Sequence, residues 1–238
     1  MTVCSTAFTG LGHSQAKALG YPRLPIAVVP HPFGIRTRDE IRNIAAQCVD
    51  DVARLLCETD AADATATAKG DAAARAEPIE VADDLEAFNR LMLERHWSDG
   101  LPLIPPTRER VELMLRQTSR APDEVIGSVA PAFGVATVER IAINAVMAGC
   151  YPEYLPVLIA ATAAIATPEF NLRGIQATTN PGAVWLIING PIAKQLGVNS
   201  GGNCLGPGAW ANATLGRALR LIQQNIGGAL AGEMDRAT

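Results

Sequence analysis

The sequence predicts an α/β protein: a partial doubly wound parallel β-α-β-α unit followed by a larger, helix-rich α+β domain. Three observations predict it. Apolar, β-branched runs alternate with helix-period segments over residues 1–58, an alanine-rich stretch without large side chains fills 59–79, and amphipathic helices dominate 80–238. Near the end of that second domain the chain runs into a loop unusually rich in glycine and asparagine.

In the first unit, Thr2 to Ala7 reads as a short strand and Leu11 to Leu19 as a helix stopped by Gly20. Leu24 to Val29 is apolar throughout, as strands covered on both faces tend to be. It ends at Pro30-His31-Pro32, where proline forbids both strand and helix. From Arg38, the spacing of Ile41, Ile44, Ala45, Cys48, Val52 and Leu55 has the 3.6-residue period of an amphipathic helix. Two parallel strands and two helices leave a sheet edge open. Its cover comes from βα units on another chain or from the second domain, or the unit is what survives of a longer ancestor.

Residues 59–79 are alanine and small polar residues and read as a linker. In the second domain, Leu85, Phe88, Leu91 and Met92 outline a helix capped by Asp83 or Asp84, followed by a turn at His96 to Gly100 and an extended proline-rich segment. Helices are predicted from Arg108 to Thr118 and from about Thr137 to Gly149. Tyr154 to Ala166 is apolar enough to be buried on every side. Ile175 to Thr179 and Ala183 to Asn189 read as strands. A last helix buries Leu215, Leu219, Ile222 and Ile226, with Asn212 or Thr214 as its cap.

Composition narrows the function. With 20 basic and 24 acidic side chains the net charge is −4, and no basic stripe is interleaved with aromatics, so nucleic acid is not an expected partner. The longest apolar run is shorter than the ~20 residues a membrane helix needs. The 5 cysteines form no C-x-x-C pair, which reads as reduced thiols in a cytoplasmic protein. No histidine cluster or H-E-x-x-H suggests a metal site, and no G-x-S-x-G or P-loop motif occurs. No cofactor is named by any motif.

Two stretches carry a family resemblance. Residues 2–34, TVCSTAFTGLGHSQAKALGYPRLPIAVVPHPFG, resemble the C-terminal half of the UGSC-type (seleno)protein domain. Their I-x-V-x-P-H-P-x-G is similar, more distantly, to the B subunits of the glycine, sarcosine and betaine reductases. The second domain resembles one commonly associated with UGSC domains, through Trp97 to Thr107, ATVERIAINAVMAGCYPEYLPV at 136–157 and GPGAWANATLGRALRLIQQNIGG at 206–228. The resemblance implies thiol or selenol chemistry, such as reductive cleavage or elimination at a C–X bond. In those families the redox motif lies upstream of this half; neither U-G-S-C nor C-G-S-C occurs here, so their nucleophile transfers to no residue of this chain.

The candidate site residues follow from chemistry. Among the 3 histidines, His31 stands at the carboxyl end of a strand, where open α/β sheets bind ligands. His96 beside Asp99 is a candidate acid–base pair, and each also has a plain structural role, as a helix end and as a turn former. Cys204 lies in the glycine loop, where backbone amides can stabilise a thiolate, or it is a small buried residue of a tight turn. Asn189, Asn199, Gly201, Gly202, Asn203 and Asn212 surround that loop, with Arg217 able to pair a carboxylate. Asn144, on an apolar helix, either contacts substrate or grips a neighbouring loop.

Two functions fit. One is an enzyme, or a subunit of one, acting on a small anionic substrate held by the loop amides while His31 or His96 moves the proton. The other is a non-catalytic subunit or scaffold that completes its sheet with a partner, giving a homo-oligomer or a hetero-oligomer with a chain that supplies βα units.

Overall fold

The computed structural model describes residues 1–57, 76–81 and 83–236. The expected linker at 59–79 therefore lies outside the described residues except for 76–79. The chain divides into two compact units, Met1–Lys69 and Gly70–Thr238.

In the first unit, β1 (Thr2–Ser5) pairs in parallel with β2 (Ile26–Val29), Thr2 opposite Ile26 and Ser5 opposite Val29. A short 3-10 turn at Thr6–Phe8 leads into α1 (Thr9–Ala18), so β1 ends earlier than its β-branched sequence suggests. One helix lies on each face. α1 packs on the face bearing Cys4 and Ile26, where a Cβ on Gly12 would stand 3.1 Å from Ile26 Cδ1. α2 (Arg38–Cys57) lies over Val3 and Val29 and starts in a reciprocal cap: Thr37 N donates to Glu40 Oε2 at 2.7 Å, and Glu40 N to Thr37 Oγ1 at 3.4 Å. The cover is thin. Val3 is 50% exposed and Val28 44%, which corrects the expectation that β2 is covered on both faces.

The second unit is built around two helices, α5 (Val138–Ala148) and α9 (Trp210–Asn225). Ile141, Ala142 and Ala145 of α5 and Leu215, Leu219 and Ile222 of α9 are buried in one core with α3 (Leu85–Glu94) and α4 (Arg108–Leu115). Asp84 caps α3 by accepting from Glu86 N and Ala87 N, and Thr107 and Thr137 cap α4 and α5. Gly149 ends α5 at φ 85°, a left-handed conformation that glycine takes without steric cost. The helix cap expected from Asn212 or Thr214 is not used: α9 begins at Trp210 after Ala209, with no side-chain cap.

An antiparallel hairpin, β3 (Val125–Val129) and β4 (Gly134–Thr137), turns through the cis Ala130–Pro131 bond and presses on the end of α9. At Gly134 an added Cβ would lie 1.8 Å from Ile226 O, so only glycine fits. The apolar helix α6 (Leu155–Ile165) buries Leu155, Leu158, Ile159 and Ile165 but exposes Pro156, Ala160, Ala163 and Ala164, so it is not buried on every side. No single helix among the described residues is long and apolar enough to cross a membrane.

Two strand expectations fail. Ile175–Thr179 falls largely in the helix α7 (Leu172–Ala177), where Asn171 accepts from Gly174 N and Leu172 and Gln176 point into the core. Ala183–Asn189 has no regular hydrogen-bonded structure, although its burial alternates residue by residue before α8 (Pro191–Gln195).

Candidate functional site

The glycine loop is braced by its own amides. Asn212 accepts from Asn199 N at 2.9 Å and donates to the carbonyls of Asn199 and Cys204, each at 2.9 Å. Asn199 also accepts from Gly201 N and donates to Gly202 O, while Asn203, at φ 61°, donates to Pro207 O and its carbonyl accepts from Gly206 N. The loop amides were expected to converge on an oxyanion. Here the side chains of Asn199, Asn203 and Asn212 and the N–H groups of Asn199, Gly201 and Gly206 are already engaged within the loop. Gly201, Gly202 and Asn203 face solvent, and Asn189 is exposed outside this hydrogen-bonded set. Two cavities of the described residues, one between α2 and the first sheet and one beside α6, are lined by other residues than this loop.

Arg217 is likewise occupied. Its Nε and Nη2 donate to Asp99 Oδ2 and Oδ1, both at 2.8 Å, and Nη2 also reaches the carbonyls of Leu101 and Pro102. Burial pushes the Asp99 carboxyl up. Hydrogen bonds and charge from Arg217, with the Leu101 N–H, outweigh that and hold it below the usual carboxylate range. The expected pairing of Arg217 with a substrate carboxylate thus meets an internal partner. His96 is exposed in a left-handed turn at φ 57°, and no hydrogen bond joins it to Asp99 among the described residues. Both are instead parts of a seam: Gln224 donates to the carbonyls of His96 and Ser98, and Asn225 to that of Trp97.

Asn144 is 4% exposed, donates to Arg140 O at 2.9 Å and accepts from Asn225 at 2.8 Å, so its amide links α5 to α9. Cys204 is half-buried under the Asn212 clamp. Cys150 is buried, donates to Thr214 O at 3.3 Å, and burial pushes its thiol up to about 12 against weaker help from Thr214 and Arg217. It stays protonated at neutral pH. A second polar knot, missed in the sequence, ties down the C-terminal segment: Asp235, 8% exposed, pairs with Arg220 at 2.8 Å beside the amides of Gln176 and Gln223.

In the first unit His31 is the candidate that gains a chemical partner. Its Nδ1 lies 3.0 Å from Ser5 Oγ, its backbone N donates to Thr6 Oγ1 at 3.2 Å, and Phe8 meets its ring edge-on at 5.7 Å. Ser5 closes β1 and His31 follows β2, so parallel pairing alone brings them together at the carboxyl ends of both strands. A hydroxyl hydrogen-bonded to an imidazole can pass its proton to the ring nitrogen, and at this edge the pair is open to solvent. Ser5 was not singled out in the sequence. The available signal was that the residue ending one parallel strand stands beside the residue ending the next. No group of three or more His, Cys, Asp or Glu side chains comes together among the described residues.

Comparison with known proteins reaches only the first unit. No curated protein and no solved structure matches the chain. Residues 1–58, which contain β1, β2, Ser5 and His31, match the model of the UGSC family, and this stretch is what the chain shares with that family.

Proposed function

We propose that this chain is a subunit of an assembly in which a partner chain extends the parallel sheet of the first unit. The observation that carries this reading is the open cleft between α2 and the sheet, about 490 Å³, walled by Val3, Val29, Phe33, Cys48, Val49 and Leu56. Val49 is 59% exposed and Leu56 61%, on the helix that should cover the sheet. Each aliphatic side chain left in water forgoes about 1.5–3 kcal/mol of burial, and a two-stranded sheet has a free edge on either side. A βα unit laid against that edge supplies both a strand for the backbone and an apolar surface for the cleft. The unpaired cysteines suit a reducing, cytoplasmic setting.

Native mass spectrometry of the chain isolated from its own cells reads out a homo- or hetero-oligomeric partner. A complex of fixed stoichiometry is expected, lost in a Val49→Asp, Leu56→Asp double variant whose circular dichroism is unchanged. A monomer throughout would overturn the reading.

A second reading is favoured by the Ser5–His31 hydrogen bond: the first unit handles a small anionic substrate at the strand ends, with His31 moving the proton. The UGSC match of the same residues points to thiol or selenol chemistry, reductive cleavage or elimination at a C–X bond, with the redox group on a partner chain. Melting scans with carboxylates, thiols and phosphates test it. A stabilising shift that disappears in His31→Ala is expected, and the absence of any shift would leave only the assembly role.

A further inference from the structure

We infer that Ser5 is an acyl-accepting nucleophile and that the first unit hydrolyses acyl thioesters at the carboxyl ends of β1 and β2. The inference rests on the second reading above, in which His31 moves the proton. A serine oxygen is a weak nucleophile until a neighbouring base takes its proton, and the two groups must stand about 2.6–3.2 Å apart. Ser5 Oγ and His31 Nδ1, 3.0 Å apart, meet that condition. Both are held in place. The backbone N of His31 donates to Thr6 Oγ1 at 3.2 Å and Phe8 meets its ring edge-on, while Ser5 pairs with Val29 and its carbonyl accepts from Thr9 Oγ1 at 3.4 Å. Ser5 is half-buried and His31 exposed, so a substrate reaches the pair from solvent.

The composition of the pair selects the substrate. Among the described residues no carboxylate meets His31, so no third group steadies the imidazolium that forms as Ser5 gives up its proton. Such a dyad needs a leaving group that departs with little help. A thiolate, whose parent thiol has a pKa of about 8.5, leaves far more readily than an alkoxide or an amine. In acylation, Ser5 Oγ bonds to the thioester carbonyl carbon while its proton passes to His31 Nδ1. The carbon–sulfur bond breaks, and the sulfur keeps the electron pair and takes that proton, leaving as a free thiol. Water then gives a proton to His31 and bonds to the same carbon. The bond from that carbon to Ser5 Oγ breaks, the proton returns to Ser5, and a carboxylic acid is released. The products, a carboxylate and a thiol, belong to two of the ligand classes in the melting scan.

Incubating the full chain with the acetyl thioester of N-acetylcysteamine, quenching in acid and mapping the peptides by mass tests this. Acetyl on the Ser5 oxygen is expected, with thiol release followed by chromatography, and the corresponding acetyl amide stays intact. His31→Ala slows release about 10²-fold, the low end of what acid–base help contributes, and Ser5→Ala abolishes it, both with unchanged circular dichroism. The wild-type adduct alone decides the matter if either variant fails to fold. No acetyl on Ser5, or acetyl on Cys4 with Ser5→Ala equally active, would overturn the inference. A carboxylate melting shift that needs His31 but comes without the adduct sinks the nucleophile and leaves the second reading standing. Neither shift nor adduct sinks both.

Discussion

Asp99 and Arg217 meet side-on, two oxygens against two nitrogens at 2.8 Å, with side chains 14% and 20% exposed. The same guanidinium reaches Leu101 O and Pro102 O, so one side chain of α9 holds the whole turn from Asp99 to Pro102. The segment from His96 to Pro102 therefore lies along α9.

Asp99→Asn therefore costs about 1.5–3 kcal/mol of unfolding free energy, the range for hydrogen bonds to charged groups, and is read in urea titrations at neutral pH. Arg217→Lys does not restore it, because an ammonium cannot reproduce the two parallel bonds.

Acidification should erase that difference. The folded Asp99 carboxyl sits below its unfolded value, so its contribution is complete above the ordinary aspartate pKa of about 3.9. It shrinks as pH falls below that and is gone once pH passes the lowered folded value. Wild type and Asp99→Asn should converge in stability over that acidic window.

Thiol labelling at neutral pH should rank the cysteines by access. Cys57 is exposed and reacts first; Cys4, Cys48 and Cys204 are half-buried and follow. Cys150, its thiol held protonated by burial, reacts only on unfolding, which peptide mapping after timed alkylation will show.

Asn212→Ala frees the carbonyls of Asn199 and Cys204 together, and should cost about 1–3 kcal/mol while raising protease cleavage between residues 200 and 208. If the loop is an internal brace, ligand-independent cleavage rises even with no substrate present.

Gly134→Ala is expected to be among the most disruptive single-methyl changes, because the added carbon meets the carbonyl of Ile226 and the hairpin must lift off α9. Overpacking typically costs about 1–3 kcal/mol, and a backbone clash puts this site at or above the top of that range.

How much was legible differs by element. The order and type of β1, α1, β2 and α2, the inward faces of α3, α5 and α9, the cap at Asp84 and the stop at Gly149 followed from period, capping and breaker residues. His31 was found from its place after a strand; Ser5 was not, because only the parallel register puts it 3.0 Å away. The β-branched and aromatic letters of Ala183–Asn189 are strand letters, and the chain there alternates as a strand does without closing a ladder.

The sequence by itself determined what a helix can complete alone, since its hydrogen bonds close within four residues and its buried face repeats along one segment. The tertiary structure alone decided which polar groups remain for a ligand. Arg217 lies 118 residues from Asp99 and Asn225 lies 81 from Asn144, and each spends its donors across that gap. Strand ladders and ion pairs need a partner from elsewhere in the chain, and residue type does not name that partner.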